Sequence, residues 1–264
     1  MTVSVLIPAC NAEATIAKTL KAIAAQSRAP DEILVCDDGS SDLTASLARS
    51  FPGVKVLSQP NGGTSVARNT LVENATGEVV AFCDADDRPH PEWLATLVAL
   101  LERHDAEIAL CGLFAGRDLS EKRYVYPAAG EGAAEGKIFY RQQLAHGEDC
   151  RSYLPCCAIR RELLLAHPEA RGIRGLQIQE DEVLLLAAAK SCRRFAYTDQ
   201  CLYDYLYREK SVCGIYFRDP KAAAKRYHQY FLRDRAKWRI THRPWYLAKA
   251  LANFLRWRLK GGTV

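Results

Sequence analysis

The feature that most constrains the fold is an alternation of short apolar runs with helical periodicity over the first 113 residues. Val3–Pro8, Glu32–Cys36 and Glu78–Cys83 are apolar runs of strand length, and Ala14–Gln26 carries apolar residues at helical spacing. Parallel strands need long crossover connections, which are usually helices. The alternation therefore predicts an α/β fold with a mostly parallel sheet that helices cover on both faces. The same pattern predicts strands at Val54–Leu57 and Ile108–Leu113, and helices that end at Arg49, span Ser65–Asn74 and carry Trp93 to Leu101.

The periodicity weakens after residue 114. Residues 128–136 contain only small side chains, glutamates and three glycines, a composition that predicts a mobile loop, and such a loop could close over a bound ligand. Beyond it, the sequence predicts a strand at Leu154–Ile159, a short helix from Glu162, a strand at Phe195–Tyr197, and two helices from Lys221 that break near Arg243-Pro244.

The composition is that of a soluble globular protein, with 48% hydrophobic and 25% charged residues. No apolar run approaches the ~20 residues of a membrane-spanning helix, and the N-terminus does not resemble a signal peptide, so we expect a cytoplasmic protein. The ten cysteines include no C-x-x-C pair. Free buried thiols are therefore expected, without a zinc site.

Charge is distributed unevenly along the chain. Residues 220–264 carry twelve lysines and arginines against one acid, a net charge of +11, whereas the other residues sum to −6. Within this tail, residues 243–260 form a basic amphipathic pattern with aromatic residues, which predicts either docking on an anionic membrane surface or a terminal helix packed on the domain. Nucleic-acid binding is disfavoured, because no nucleic-acid module accompanies the tail and the body is acidic.

Polar residues follow three of the predicted strands, and ligands of such sheets bind beyond the carboxyl ends of the strands. They are Asn11, the pair Asp37-Asp38, and the cluster Asp84-x-Asp86-Asp87. Three carboxylates so close together favour a divalent cation such as Mg²⁺ or Mn²⁺, which binds one or two carboxylates together with substrate phosphates. The alternative is a solvated turn whose aspartates cap the next helix.

Five ordered segments together resemble the family 2 glycosyltransferases, which have the GT-A fold. They are Ile7–Asn11, Asp37–Thr44, Asn61–Gly63 with Ala67–Asn69, Ala75–Glu78, and Asp84–Asp87. The resemblance is close over about the first 110 residues and looser to about residue 213. It implies inverting, metal-dependent transfer of a sugar from a nucleotide-sugar, usually a UDP-sugar, to a hydroxyl of a glycan or lipid-linked acceptor, as in the biosynthesis of surface polysaccharide or lipopolysaccharide.

The resemblance also implies roles for particular residues. The nucleotide would be bound by Pro8, Ala9, Asn11, Glu13, Asp38, Arg68 and Asp84, with Asp38 on the uracil, Arg68 assisting and Asp84 on the ribose. Asp86 would ligate the Mg²⁺ or Mn²⁺ ion. The general base would be Asp181, with Glu180 as its neighbour and fallback. The domain would then divide into a nucleotide-sugar half (1–113), an acceptor and catalytic-base half (114–215) and a basic helical extension (216–264).

The chain departs from the family pattern at three places. Cys10 stands where tyrosine is frequent, and Gln179 precedes the Glu-Asp pair where glycine is common. The family often has an aromatic and basic stretch after the base, and this chain matches it only in part, at Tyr203, Tyr205, Tyr207, Arg208, Lys210 and Ser211.

Two other functions stay open from the sequence. A non-catalytic nucleotide-sugar-binding protein could retain the donor site, although the Glu180-Asp181 pair argues against it. A nucleotidyltransferase would need a phosphate loop rich in glycine and lysine after the first strand, and residues 9–13 contain neither residue type.

Overall fold

Four parallel strands, β1 (Val3–Ala9), β2 (Glu32–Asp38), β3 (Val54–Gln59) and β4 (Val79–Phe82), form one half of the sheet in the order β3-β2-β1-β4. The computed structural model describes residues 1–116, 122–126, 128–145, 152–206 and 223–260. All residues of β1 and β4 are buried. This agrees with their nearly continuous apolar sequences, which are typical of strands in a sheet that is covered on both faces.

The second half of the sheet mixes parallel and antiparallel strands. Its strands are β5 (Arg88–Pro89), β6 (Ile108–Gly116), β7 (Lys122–Tyr124), β8 (Glu131–Glu135), β9 (Cys157–Arg160) and β10 (Arg194–Leu206). The order continues β4-β9-β6-β10-β5, where β6 and β10 are parallel and β9 runs antiparallel between β4 and β6. In addition, β7 pairs with β6, and β8 pairs with β10.

The helices confirm most of the predicted pattern, including the two C-terminal helices separated at Arg243-Pro244. In the first helix, Ile16, Leu20 and Ile23 form the buried face, as their spacing predicts. The helices are α1 (Ile16–Ala24), α2 (Thr44–Arg49), α3 (Thr64–Asn74), α4 (Trp93–His104), α5 (Gly136–Ala145), α6 (Arg161–Leu165), α7 (Glu180–Ser191), α8 (Ala223–Thr241) and α9 (Pro244–Leu259).

The predicted loop at residues 128–136 is wrong. Glu131–Glu135 is strand β8, which pairs antiparallel with β10 from Arg194 to Thr198, and α5 begins at Gly136. Small residues have little strand propensity of their own, so the pairing partner decides the conformation here. The predicted strand at 154–159 is also shorter than expected, because Leu154–Cys156 is a 3₁₀ turn that precedes β9.

A second, smaller hydrophobic core joins the C-terminal helices to the domain. Leu176, Val183 and Leu186 pack with Ala236 and Ile240 of α8, and α9 packs on α8. The basic tail is therefore part of the folded body. Among the described residues, no helix has the length and apolar character needed to cross a membrane. The eight described cysteines are free thiols.

The strand order locates a ligand-binding crevice. The chain proceeds outward from β1 to β2 and β3, then returns to place β4 on the other side of β1. Crevices form at such reversals, beyond the carboxyl ends of the strands. Here those ends lead into Asn11 after β1 and Asp84 after β4.

The junction of β8 and α5 provides a test of the corrected region. A Cβ added at Gly136 would lie 1.7 Å from the backbone oxygen of Cys192. We expect Gly136→Ala to lower the free energy of unfolding, measured by urea denaturation, by about 2–3 kcal/mol because the crowded atom is backbone. Gly53→Ala is the control. A Cβ added there would meet no atom within 4 Å, so only the strain of its positive φ should lower the free energy of unfolding, by about 1 kcal/mol. Equal losses in both variants would contradict the packing of β8 and α5.

Candidate functional site

A cavity of about 360 Å³ opens beyond the carboxyl ends of β1 and β4. Its wall includes Thr64, Gln177 and Tyr205 together with most of the residues that the sequence predicts for the site. The predicted residues in the wall are Pro8, Ala9, Asn11, Asp38, Arg68, Asp84, Asp86 and Glu180.

At one side of the cavity, a buried arginine holds three carboxylates. The Arg68 side chain, on α3, is only 3% exposed. Its guanidinium lies 2.9 Å from Asp84 Oδ1 and 2.6 Å from Glu180 Oε1, and it also forms an ion pair with Asp181 Oδ1. Arg68 is therefore a buried, paired cation and not a solvated surface arginine. The arrangement joins α3, the end of β4 and the start of α7.

The electrostatics of this cluster favour proton exchange. Burial raises the pKa of Glu180 to about 8, although the Arg68 guanidinium opposes the shift. Burial also raises the pKa of Asp181, again against the effect of Arg68. The pKa of Arg68 is raised because three carboxylates outweigh the cost of burying its charge. A carboxylate whose pKa approaches neutrality is suited to accept a proton in catalysis.

Asp38 organises the loop that begins α3. Its carboxylate accepts hydrogen bonds from the backbone N–H of Gly62 and Gly63 and from the side-chain amide of Gln59. Asp37, in turn, accepts a bond from Ser40 N, the Asx-type turn that follows the strand. Asp38 thus lies in the cavity wall with its oxygens engaged by the loop.

The three carboxylates after β4 have separate positions. Asp84 binds Arg68, and Asp86 lines the cavity. Asp87 is buried and its Oδ1 accepts a hydrogen bond from Leu206 N, which fixes the end of β10 beside the cavity. Burial and the two neighbouring carboxylates raise the pKa of Asp87 well above its usual range. Helix α4 begins only at Trp93, so the aspartates do not cap it.

Two predicted residues lie outside the cavity wall. Glu13 is exposed, and its Oε2 accepts a hydrogen bond from Leu43 N. Asp181 pairs with Arg68 but does not line the cavity, and its Oδ2 accepts a hydrogen bond from Leu154 N at 3.2 Å. Asn11 lines the cavity, but its Oδ1 accepts a hydrogen bond from Ser41 N.

Nothing in the sequence points to Gln177, and Tyr205 stands out there only as part of an aromatic stretch. Neither residue belongs to a motif with its own chemistry, so their positions emerge only from the fold. Tyr207, Arg208, Lys210 and Ser211 lie outside the described residues.

The C-terminal helix α8 supports the segment that carries the Glu-Asp pair. Gln229 accepts a hydrogen bond from Gln177 N and donates one to Gly175 O. Arg233 donates to the side-chain oxygen of Gln179, the residue immediately before the pair. These contacts make α8 part of the site's scaffold.

The donor set around the cavity fits a divalent cation shared with a substrate. In the described residues, no three His, Cys, Asp or Glu side chains converge as a metal cage. Asp86 faces the cavity, while the neighbouring Asp84 is engaged with Arg68. Mg²⁺ and Mn²⁺ commonly bind one or two carboxylates and complete their coordination with phosphates and water. Asp86 fits that arrangement.

Solved structures with the same architecture define the fold class. The chain aligns with residues 1–349 of TarS from S. aureus, in complex with UDP-GlcNAc, at a TM-score of 0.70 and 22% identity, covering 99% of this chain and 74% of that one. Glucosyl-3-phosphoglycerate synthase from Mycobacterium tuberculosis, in complex with Mn²⁺, UDP and glucosyl-3-phosphoglycerate, aligns at a TM-score of 0.55 and 23% identity, covering 86% and 79%. The fold is GT-A, as predicted.

The sequence match is more specific than the fold. Residues 4–166, more than half of the chain, match the pattern of Glycosyl transferase family 2. The chain belongs to glycosyl transferase family 2, which confirms the resemblance found in the sequence.

Individual relatives cover different parts of the chain. The uncharacterized glycosyltransferase YibD of Escherichia coli strain K12 is 29% identical over 221 residues, 81% of this chain and 63% of that protein. The Escherichia coli UDP-Glc:alpha-D-GlcNAc-diphosphoundecaprenol beta-1,3-glucosyltransferase WfgD is 40% identical over 88 residues, 32% of this chain and 35% of that protein. The chain thus spans less than two thirds of the length of these relatives.

The buried guanidinium can be tested without an activity assay. We expect Arg68→Met to lower the free energy of unfolding by about 3 kcal/mol or more at pH 8, because it leaves buried carboxylates without a cation. The folded-state pKa values of Glu180 and Asp181, already raised, then rise further above the unfolded ones, so the folded state binds more protons and the deficit shrinks as the pH falls from 8 to 5. Urea denaturation across this range measures it.

Two variants accompany this measurement. Arg68→Lys keeps the charge and should lose less stability. Arg103→Met removes an exposed arginine that pairs with Glu131, and it should cost at most about 1 kcal/mol. A deficit in Arg68→Met that does not change with pH would contradict the role of the three carboxylates.

Proposed function

We propose that the protein is an inverting glycosyltransferase that moves a sugar from a UDP-sugar to a hydroxyl group of a glycan or lipid-linked acceptor. One observation carries the proposal: the wall of the cavity at the β1–β4 reversal contains Asp86 together with the buried Arg68 and two of its carboxylate partners, Asp84 and Glu180. Direct displacement at the anomeric carbon needs no protein nucleophile. It needs a base for the acceptor hydroxyl and neutralisation of the departing diphosphate.

Asp181 is our proposed general base, and the adjacent Glu180 is the alternative. Both residues lie in the first turn of α7 and contact Arg68. The guanidinium favours the ionised carboxylates that burial disfavours, so burial and Arg68 act on the pKa of each carboxyl in opposite directions, and the net effect raises it. Glu180 lines the cavity and Asp181 does not, so an experiment must distinguish which of the two carboxylates is the base.

A divalent cation fits this site on charge as well as on ligand chemistry. Four acids in the described cavity wall, Asp38, Asp84, Asp86 and Glu180, stand against one cation, Arg68. A diphosphate would be repelled by that balance unless a further positive charge entered with it. We propose that Asp86 holds Mg²⁺ or Mn²⁺, which when bound would neutralise charge on the leaving diphosphate. The solved relative with Mn²⁺ and UDP supports this assignment.

The choice of donor and acceptor is supported by the relatives. TarS was solved with UDP-GlcNAc, and WfgD is named as transferring glucose from UDP-Glc to a GlcNAc-diphosphoundecaprenol. Both support a UDP-linked hexose or N-acetylhexosamine as donor, and WfgD supports a lipid-linked saccharide of the cell envelope as acceptor. A non-catalytic sugar-nucleotide-binding protein would not require the Glu180-Asp181 pair on Arg68. A nucleotidyltransferase is disfavoured by the same loop composition noted in the sequence.

The base assignment is tested by conservative replacement. We expect Asp181→Asn to lower the turnover of a UDP-sugar, measured as UDP release with acceptor and Mn²⁺ present, by ~100-fold or more. Donor binding should persist, because the base acts on the acceptor. A thermal shift with UDP and Mn²⁺ measures that binding, since a ligand of the folded state stabilises it by mass action.

Glu180→Gln and Glu92→Gln complete the comparison. Glu92 is exposed and outside the cavity, so its variant should retain wild-type turnover. If Glu180→Gln abolished turnover while Asp181→Asn did not, the base would be Glu180. No loss in either variant would remove the pair from the reaction.

We also propose that α9 places the enzyme on an anionic membrane surface at the cytoplasmic side. Tyr246, Ala250 and Trp257 bury one face of α9, while the opposite face exposes a straight row of leucines at i, i+4 spacing. The helix contains three cations and no carboxylate. Thus one face of α9 is packed on the domain, and the exposed face supports the proposed membrane contact. The exposed row consists of Leu247, Leu251, Leu255 and Leu259.

The chemistry of that face favours a lipid surface over a protein partner. A leucine row bordered by Lys249 and Arg256 matches apolar acyl chains beneath anionic headgroups. Each Lys or Arg near such a surface contributes about 1 kcal/mol, and each buried leucine about 2 kcal/mol.

Vesicle sedimentation tests the docking of α9. We expect the double variant Leu251→Glu, Leu255→Glu to lower partitioning onto phosphatidylglycerol-containing vesicles by ~100-fold or more, and we expect salt to weaken wild-type binding. Ile138→Glu, an exposed apolar residue on α5, should bind as the wild type does.

Analytical ultracentrifugation of the same variants distinguishes a second copy as the occupant. Failure of the wild type to bind vesicles, or a leucine row that only controls dimerisation, would overturn the membrane assignment.

A further inference from the structure

A second cavity, of about 300 Å³, lies outside the site described above, between residues 168–174 and α8. Four arginines line it, and Glu169 is the one acid in its wall. That acid already pairs with His167 at 3.0 Å. The four cations are Arg171, Arg174, Arg235 and Arg239. We refer to this cavity as the arginine groove.

Three of these arginines have no anionic partner in the part of the chain that the structure describes. Arg174, Arg235 and Arg239 are exposed, and no carboxylate of the described residues lies within ion-pair distance of them. By contrast, their neighbour Arg233 on the same helix binds Asp234. Like charges gathered in one concave wall repel each other unless an anion joins them, so the groove favours an anionic occupant.

The fourth arginine is fixed rather than solvated. The Arg171 side chain is 8% exposed, and its Nη1 donates to Asn69 Oδ1 at 2.7 Å and to Glu73 Oε1 at 3.2 Å. Its Nε is buried and has no hydrogen-bond partner among the described residues. A buried donor without a partner costs free energy, so a ligand oxygen that reached this Nε would recover that cost.

One chain segment, residues 172–177, connects the arginine groove to the cavity that Arg68 lines. The segment that contributes Gly172 and Ile173 to the groove continues to Gln177, which lines the catalytic cavity. Ile173 N also donates to Ser65 Oγ at the start of α3, the helix that carries Arg68. A ligand held in the groove would therefore contact the same chain segment that borders the donor.

We infer that the arginine groove binds a phosphate or diphosphate group, because guanidinium groups match phosphate oxygens in charge and geometry. If the proposed function holds, this phosphate belongs to the acceptor, as in a sugar attached to a lipid diphosphate or to a phosphate-containing polymer. The binding itself does not depend on the donor reaction.

Isothermal titration calorimetry of the whole chain tests the groove with pyrophosphate, inorganic phosphate and the diester glycerophosphoglycerol as probes. We expect saturable binding of at least one probe, and a loss of ~10-fold or more in the double variant Arg235→Gln, Arg239→Gln. The tightest probe distinguishes the source: a diphosphate lipid for pyrophosphate, a phosphodiester polymer for the diester, and a free phosphate for the inorganic ion.

The control removes the same charge from two exposed arginines outside both cavities and outside α9. Arg49→Gln, Arg103→Gln should bind the probes as the wild type does, because neither residue lines the groove. Saturating UDP should not displace the probe, which places it outside the donor cavity. Separate titration of UDP shows whether the proposed donor function fails independently. Absence of binding, equal weakening in both double variants, or displacement by UDP would overturn the inference.

Discussion

The site depends on one interaction, the burial of the Arg68 guanidinium among three carboxylates. The carboxylates come from two distant parts of the chain: Asp84 follows β4, and Glu180 and Asp181 begin α7. Removing a charge from water is favourable only when its partners compensate it closely, so the cation and the acids fix each other's positions. One arginine opposite three acids leaves excess negative charge beneath the cavity. Burial is the main cause that raises the pKa of Glu180 and Asp181, and the neighbouring carboxylates raise it further, which makes both residues candidates for proton transfer.

The sequence predicted the first half of the fold well because its signals are local. Apolar runs and helical spacing report directly on burial, and the polar residues after β1, β2 and β4 identify the edge where ligands bind. The contact between Arg68 and Glu180 spans 112 residues, so spacing could not reveal it. The prediction of a loop in place of β8 was wrong for a related reason. Glu131–Glu135 contains only alanine, glycine and glutamate, and it adopts a strand conformation because it pairs with β10.

Gln179 shows how a departure from the family pattern was accommodated. Its backbone has φ 59° and ψ 22°, the left-handed conformation that glycine adopts without strain and other residues adopt at a cost of roughly 1–2 kcal/mol. The hydrogen bond from Arg233 to its side-chain oxygen offsets part of that cost. The sequence could reveal the missing glycine but not its compensation, which comes from α8. The C-terminal helices therefore stabilise the turn that aims the Glu-Asp pair.

Charge separation along the chain has a structural counterpart in the fold. The described wall of the catalytic cavity is acidic, while the surfaces contributed by α8 and α9 are basic. The opposite charges of these two surfaces can direct two anionic ligands to different places. An anion that enters the acidic cavity needs an accompanying cation, whereas an anion in the arginine groove is attracted by the arginines directly. The asymmetry of the sequence, −6 in the body and +11 in the tail, thus corresponds to an acidic cavity beside the strand ends and basic surfaces on the C-terminal helices.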